Sequence, residues 1–195
     1  MILNEKLLTQ FDPIDGTIQG YPVVERRLSQ LRGVFGDTQA FEEALAEQGD
    51  ALVYSVTSVE PAEGKGQLHY GIGKIMPGRI GQEYFMTRGH FHEWRIAAEV
   101  YIGLNGIGLM LLEDDSGQNV RTLELSANSI IYVPGHTAHR TINIGESPLI
   151  YLGIYPADAG HDYGALKERN FSQVVITQHG EPVLLDREIF LASLV

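Results

Sequence analysis

The feature that most limits how this chain can fold is a change of period near residue 50. Beyond it, short runs rich in Val, Ile, Tyr and Thr follow one another: "ALVYSVTSV", "LHYGIGKIM", "EYFMTRGHFH", "AEVYIGLNG", "GLMLLEDD", "VRTLELS", "SIIYVP", "HRTINI" and "LIYLGIYPA". Gly, Pro, Asn or Asp separates most of them at spacings of about ten residues. Alternation with period two puts every second side chain on one face of an extended strand, and β-branched and aromatic residues suit such a half-buried surface. "SQVVITQHGEPVLLD" repeats the pattern around a His179-Gly180 turn. An all-β sandwich or barrel is expected. Helical signal is confined to residues 21–50, where "ERRLSQLRG" reads as a short turn and Asp37 caps "TQAFEEALAEQ" before Gly49 ends it.

With 195 residues, 44% hydrophobic and 20% charged, the chain has the length of one domain with a proper core. No repeat, low-complexity tract or linker divides it. A single domain over 1–195 is therefore expected, with an N-terminal helical and strand extension of about 1–50, a barrel core of about 51–165 and C-terminal strands over about 166–195. The lack of cysteine removes disulfides, thiolate metal sites and a cysteine nucleophile, so any metal must bind through nitrogen and oxygen. "MILNEKLLTQFDP" has no basic stretch leading into an apolar one, and no apolar run approaches the roughly 20 residues that cross a membrane. A cytoplasmic protein with no membrane partner is expected. Fourteen Lys and Arg against 25 Asp and Glu give a net charge of -11, which argues against nucleic acid but leaves room for a small anion held locally.

Seven histidines are available: His69, His90, His92, His136, His139, His161 and His179. In a strand, residues i and i+2 share a face about 6.6 Å apart. His90 and His92 can therefore converge on one ion at bond lengths of about 2.0–2.1 Å, although a surface or hydrogen-bonded pair reads the same way. Glu99 adds to them. "EWRIAA" breaks the alternation as a loop would, and "EVYIGLNG" resumes it with Glu99, Tyr101 and Gly103 on one face and Val100, Ile102 and Leu104 on the other. A carboxylate there can lie across from both imidazoles; its plain alternative is a rim charge. A further candidate is His139, which opens an alternating run after the Pro134-Gly135 turn, with Asn143 four residues on.

These two blocks, a His-x-His with a later Glu and Gly and then a Pro-Gly turn with a later His and Asn, resemble the two motifs of the cupin superfamily. The resemblance implies an antiparallel jelly-roll barrel and metal ligands at His90, His92, Glu99 and His139, with Gly106 where the motif expects it. Six residues separate His92 from Glu99, more than in most cupins. The wider text, "EYFMTRGHFH", "AEVYIGLNGIGLMLLE", "AHRTINIG" and "YPADAGHDYG", with "PGRIG", "LVYSV" and "ERRLSQLRGVF" upstream, is similar to the cupin-type glucose-6-phosphate isomerases of archaea and some bacteria.

That likeness implies interconversion of glucose 6-phosphate and fructose 6-phosphate, a step of glycolysis and gluconeogenesis, with one divalent ion per subunit. Iron(II) is the first choice, with manganese, nickel or zinc as alternatives for the same donor set. Glu99 is implied as proton carrier as well as ligand, a double duty that needs a free oxygen because coordination lowers basicity. Tyr155, His161 and Tyr163 are implied to face the sugar, with Tyr155 and His161 in catalytic roles. Thr87, Arg88 and Gly89 offer a hydroxyl, a cation and a backbone N–H to a phosphate, with Tyr54 and Tyr101 near the substrate and Lys74 and Arg79 as further local cations. A homodimer is implied too.

Departures from the family text surround this site. Gly73 stands where relatives tend to have threonine, and His136 and Thr137 replace two aromatic residues. His136 is expected at the pocket rim or surface, while His69 and His179 have no ligand partner nearby. Two rival functions share the motifs: a cupin dioxygenase on the same three-His, one-Glu centre, and a sugar-binding cupin without turnover.

Overall fold

A computed structural model of the chain describes residues 8–167 and 169–194. The first seven residues, on which the reading of no leader partly rests, lie outside them. The chain opens with β1 (Phe11–Asp12), β2 (Thr17–Ile18) and β3 (Val24–Arg27), a 3-10 turn over Leu28–Leu31, and α1 (Thr38–Gln48). There follow β4 (Leu52–Val59), β5 (Leu68–Ile75), β6 (Arg79–Ile80), β7 (Glu83–Tyr84), β8 (Glu99–Asn105), β9 (Ile107–Asp114) and β10 (Val120–Ser126). β11 (Ile130–Val133), β12 (Thr137–Asn143), β13 (Leu149–Pro156), α2 (Gly164–Lys167), β14 (Gln173–Gln178), β15 (Glu181–Asp186) and α3 (Arg187–Ala192) complete it. No helix among the described residues is long and apolar enough to cross a membrane.

The strands form an antiparallel barrel, as the period-two runs predict, with the jelly-roll arrangement that the resemblance implies. One wall is a six-stranded sheet in the order β11-β8-β13-β5-β4-β3; the other is built from β10-β9-β12 and from β15-β14-β7-β6. Alternation decides what each wall faces. On β8, Glu99, Tyr101 and Gly103 point into the barrel, as their spacing predicts. On β13, Tyr151, Gly153 and Tyr155 share the inner face, while Ile150 packs outward with Ile72, Val59 and Ile18 of β2. The main core fills the rest of the barrel with Ile75, Met86, Met110, Leu111, Leu125 and Ile142, all within 1% of complete burial. Each such side chain contributes about 1.5–3 kcal/mol relative to exposure.

Three elements differ from the expectation. "ERRLSQLRG" begins in β3, which adds an edge to the six-stranded sheet by pairing Arg26 with Tyr54, before Leu28 and Leu31 turn fully inward. "EYFMTRGHFH" is not one regular strand. It changes partners, from β14 at Glu83 to β12 at Met86 and His90, and Gly89 sits at φ +74 between those contacts, so only isolated bridges form. The C-terminal segment contains α2 and α3 besides its strand hairpin. α3 starts where Asp186 accepts hydrogen bonds from the N–H groups of Glu188 and Ile189. α1 has the predicted limits, with Asp37 accepting from Ala40 N and Gly49 at φ +69.

Candidate active site

Inside the barrel, His90, His92, Glu99 and His139 converge so that one donor atom from each lies within 4.8 Å of the others. Chain geometry brings them together in two ways. The segment before β8 pairs with β12 through His90 and His139 themselves: His90 N donates to His139 O at 3.2 Å and His139 N to His90 O at 3.0 Å. Their rings meet edge-on, centroids 4.3 Å apart. The loop of residues 93–98 then carries the chain from His92 to Glu99 and closes on Ala97 N→Trp94 O. Ala97 O faces His92 Nδ1 at 3.1 Å. A carbonyl can only accept, so Nδ1 carries a proton and Nε2 faces the cluster. Arg95 pins this loop from outside by pairing with Asp162 at 2.7 Å and lying 4.1 Å from the Phe91 ring centroid.

The cluster suits a cation. Glu99 Oε2 stands 3.2 Å from Nε2 of both His92 and His139. The His139 contact lacks hydrogen-bond alignment, so His139 Nε2, like His90 Nε2, is a buried nitrogen with no hydrogen-bond partner. Two orphaned lone pairs beside a buried carboxylate are costly in a protein interior unless something binds them. Burial, reinforced by His139, His161 and His92, holds the His90 pKa well below its ordinary value, so this imidazole is neutral. Burial works against the Glu99 charge, but the adjacent His139 and His92 imidazoles outweigh it and hold the carboxyl at about 2. A set of imidazole nitrogens and one carboxylate of this kind can hold divalent first-row metals. Space for Glu99 comes from Gly153: a Cβ there would lie 2.8 Å from Glu99 Oε1.

A cavity of about 290 Å³ opens from the cluster to the surface. Its lining includes Tyr54, Thr87, Arg88, Gly89, Tyr101, Tyr155, His161 and Tyr163, along with His90, Glu99 and His139. His161 stands at the mouth, its ring 4.5 Å from His90, 5.8 Å from Tyr155 and stacked on Tyr163. Burial lowers its pKa, so it too is neutral. Arg88 donates to Gln30 O at 2.6 Å and faces the Tyr163 ring at 5.9 Å.

Lys74 and Arg79 do not belong to this cavity. Lys74 alternates with Gly73 and so leaves the barrel, donating to Asp15 O at 3.0 Å, and Arg79 is exposed on β6. His136 is on the surface, 3.0 Å from Asp115, as expected of it. His69 touches the site indirectly, edge-on to Tyr155. Four of the polar lining residues were not anticipated: Arg26, Ser58, Thr141 and Tyr151. Thr141 and Tyr151 were within reach of the period-two rule, two residues from His139 and four from Tyr155. Arg26 depends on the β3–β4 pairing, which no local signal announces. Thr141 Oγ1 links Thr87 Oγ1 at 3.3 Å to the Tyr151 hydroxyl at 2.9 Å, a file of hydroxyls along one wall.

Among solved structures, an oxalate oxidase aligns with a TM-score of 0.48 and 17% identity over 58% of this chain and 56% of its own. An oxalate decarboxylase from Bacillus subtilis aligns with a TM-score of 0.45 and 22% identity, over 54% of this chain and 26% of its own. Sequence likeness is much stronger. The glucose-6-phosphate isomerase of Pyrococcus horikoshii is 44% identical, covering 94% of this chain and 96% of its own. That of Thermococcus litoralis is 43% identical, with 95% and 97% covered. The family described as glucose-6-phosphate isomerase matches residues 25–188, which span the whole barrel and every residue of the cluster. The chain belongs to the glucose-6-phosphate isomerase family.

Proposed function

We propose that this chain interconverts glucose 6-phosphate and fructose 6-phosphate, with His90, His92, Glu99 and His139 holding one divalent ion, iron(II) first among the candidates. One observation carries the reading: a single cavity gathers the cation-binding cluster, two neutral or polar groups at sugar height, Tyr155 and His161, and a phosphate-sized set of donors at Thr87, Arg88 and Gly89. When bound, such an ion supplies Lewis-acid stabilisation of negative charge on sugar oxygens.

The protein groups divide the remaining work. Thr87 Oγ1, the Gly89 N–H and the Arg88 guanidinium hold the phosphate, with Tyr54 alongside and Tyr101 deeper in the cavity. Neutral His161, steadied by Tyr163 and Tyr155, exchanges a proton with the sugar ring oxygen as the ring opens. Glu99 resolves its double duty by dividing its oxygens. Oε2 faces the imidazoles, while Oε1 lies against Gly153 on the cavity wall, where it would take a proton from C2 or C1 and return it to the neighbouring carbon. A carboxylate held at about 2 is a weak base, and that favours a second reading in which hydrogen moves directly between C1 and C2 and Glu99 only binds the ion. Turnover in deuterated water separates them: deuterium on carbon in the product supports Glu99 as carrier, and its complete absence supports the direct shift.

The activity itself is tested by giving the metal-loaded protein fructose 6-phosphate, coupling glucose 6-phosphate to a dehydrogenase and following dissolved oxygen. Product without oxygen uptake supports the isomerase. Silence with iron, manganese, nickel and zinc would sink it, and oxygen consumption would turn the reading to a dioxygenase. Glu99→Gln is expected to lose turnover while retaining part of the bound metal. We also propose a cytoplasmic homodimer, supported by the exposed apolar edge of β11 at Ile130 and Tyr132.

A further inference from the structure

A second cavity, of about 230 Å³, lies behind the first and shares Arg88, Gly89 and Tyr163 with it. Its lining also includes Arg32, Arg140, Lys167 and Asn170, and no Asp or Glu among the described residues. In a chain of net charge -11, four cations around one hollow are a local reversal of sign. Arg32 is answered from outside by Glu42, while Arg88, Arg140 and Lys167 form no ion pair among the described residues.

Arg140 is the telling member. It is only 4% exposed, yet no carboxylate pairs with it. Nη2 donates to Arg88 O at 2.6 Å and to Asn170 Oδ1 at 3.0 Å, the guanidinium lies over Phe171, and Nε is buried with no partner. Two acids lie near enough to attract Arg140, but neither forms an ion pair with it, and Glu83 Oε1 is itself buried without a hydrogen-bond partner. Glu83 accepts from the N–H groups of Gly36 and Asp37, and Glu113 from Arg169 and Ser172. A buried guanidinium without a counter-charge is unfavourable, and the fork geometry of Arg suits a tetrahedral oxyanion.

We propose that this second cavity binds a phosphate dianion, separate from the one expected at Thr87, Arg88 and Gly89 of the metal cavity. Arg140, Lys167 and Arg32 supply the charge. Free phosphate and the phosphate group of a second sugar phosphate offer the same chemistry. Occupancy couples to the first cavity, since Arg88 and Tyr163 stand in both walls and Arg140 holds the Arg88 carbonyl.

The test counts phosphates by calorimetric titration of the metal-loaded full chain with orthophosphate at low ionic strength. The same titration follows for Arg32→Gln/Lys167→Gln and, separately, Lys167→Glu; both positions are exposed, outside the core and outside the metal cavity. The expected result is one fewer bound phosphate per chain in the variants, or that binding step weakened at least tenfold. Isotherms identical to wild type would overturn the proposal. A wild-type chain that binds one phosphate and loses it in the variants upholds this site and removes the phosphate from the metal cavity instead. Repeating the titration with glucose 6-phosphate distinguishes the sources. Loss of a step there as well means the site takes the group however it is carried, and loss with orthophosphate alone means it takes the free ion.

Discussion

At the scale of single residues, the departures from the family text turn out to have physical partners. Gly73 lies directly across from Tyr151, and a Cβ on it would meet the ring at 2.3 Å and the hydroxyl at 2.4 Å. The space a threonine side chain would take there is held by the end of a tyrosine, whose hydroxyl joins Thr141 and Thr87. Gly73→Thr is therefore expected to cost about 1–3 kcal/mol from overpacking. Adding Tyr151→Val should recover much of that loss, so that the double variant is more stable than the sum of the single losses predicts. Urea unfolding of the four proteins measures this, and strictly additive losses would contradict the pairing. Glu99 gives a pH signature in metal-free protein. Its folded pKa of about 2 is below the ordinary 4.5, so its stabilising contribution is present above about 4.5 and lost as pH falls toward 2. The stability gap between wild type and Glu99→Gln is expected to be widest near neutrality and to shrink over that window; a gap unchanged from pH 5 to pH 2.5 would count against this account.

At the scale of elements, the loop of residues 93–98 decides how well the ligands are aimed. Its length is what returns Ala97 O to His92 Nδ1. Deleting Ile96, which is exposed, should displace that carbonyl and weaken metal binding about 10–100-fold, the usual effect of losing a hydrogen bond behind a ligand. A competitive titration against a chelator measures it, and unchanged affinity would make the loop length incidental. The same elements mark what a sequence can reveal. Period two placed Glu99, Tyr101 and Gly103 on one face because that rule is local, and the cap at Asp37 was legible for the same reason. The break in the strand before His90 was not, because it arises when one segment changes partners between β14 and β12. Arg26 and Lys74 show the same boundary. One enters the cavity through a sheet edge formed by distant chain, and the other leaves it because its neighbour Gly73 occupies the inward position.

At the scale of the whole molecule, the exposed edge strand β11 carries Ile130 at 71% and Tyr132 at 63% exposure, an edge that invites pairing. Light scattering is expected to give twice the chain mass at micromolar concentration and a monomer for Ile130→Lys/Tyr132→Glu; a monomeric wild type would refute the dimer. The seam between the segment of His90 and β12 has a different consequence. His90 and His139 are backbone partners across that seam and side-chain partners in the cluster, so an ion bound there fastens two lengths of chain about 50 residues apart. Loading at a hundredfold excess over Kd stabilises the fold by about 2.7 kcal/mol, if binding is to the folded chain alone. Chelation is expected to lower Tm and to speed amide exchange first at Thr87, His90 and His139, whose N–H groups bridge that seam. In this barrel a bound metal would act as a clasp as well as a reagent, and its scarcity would then be felt as lost protein as well as lost rate.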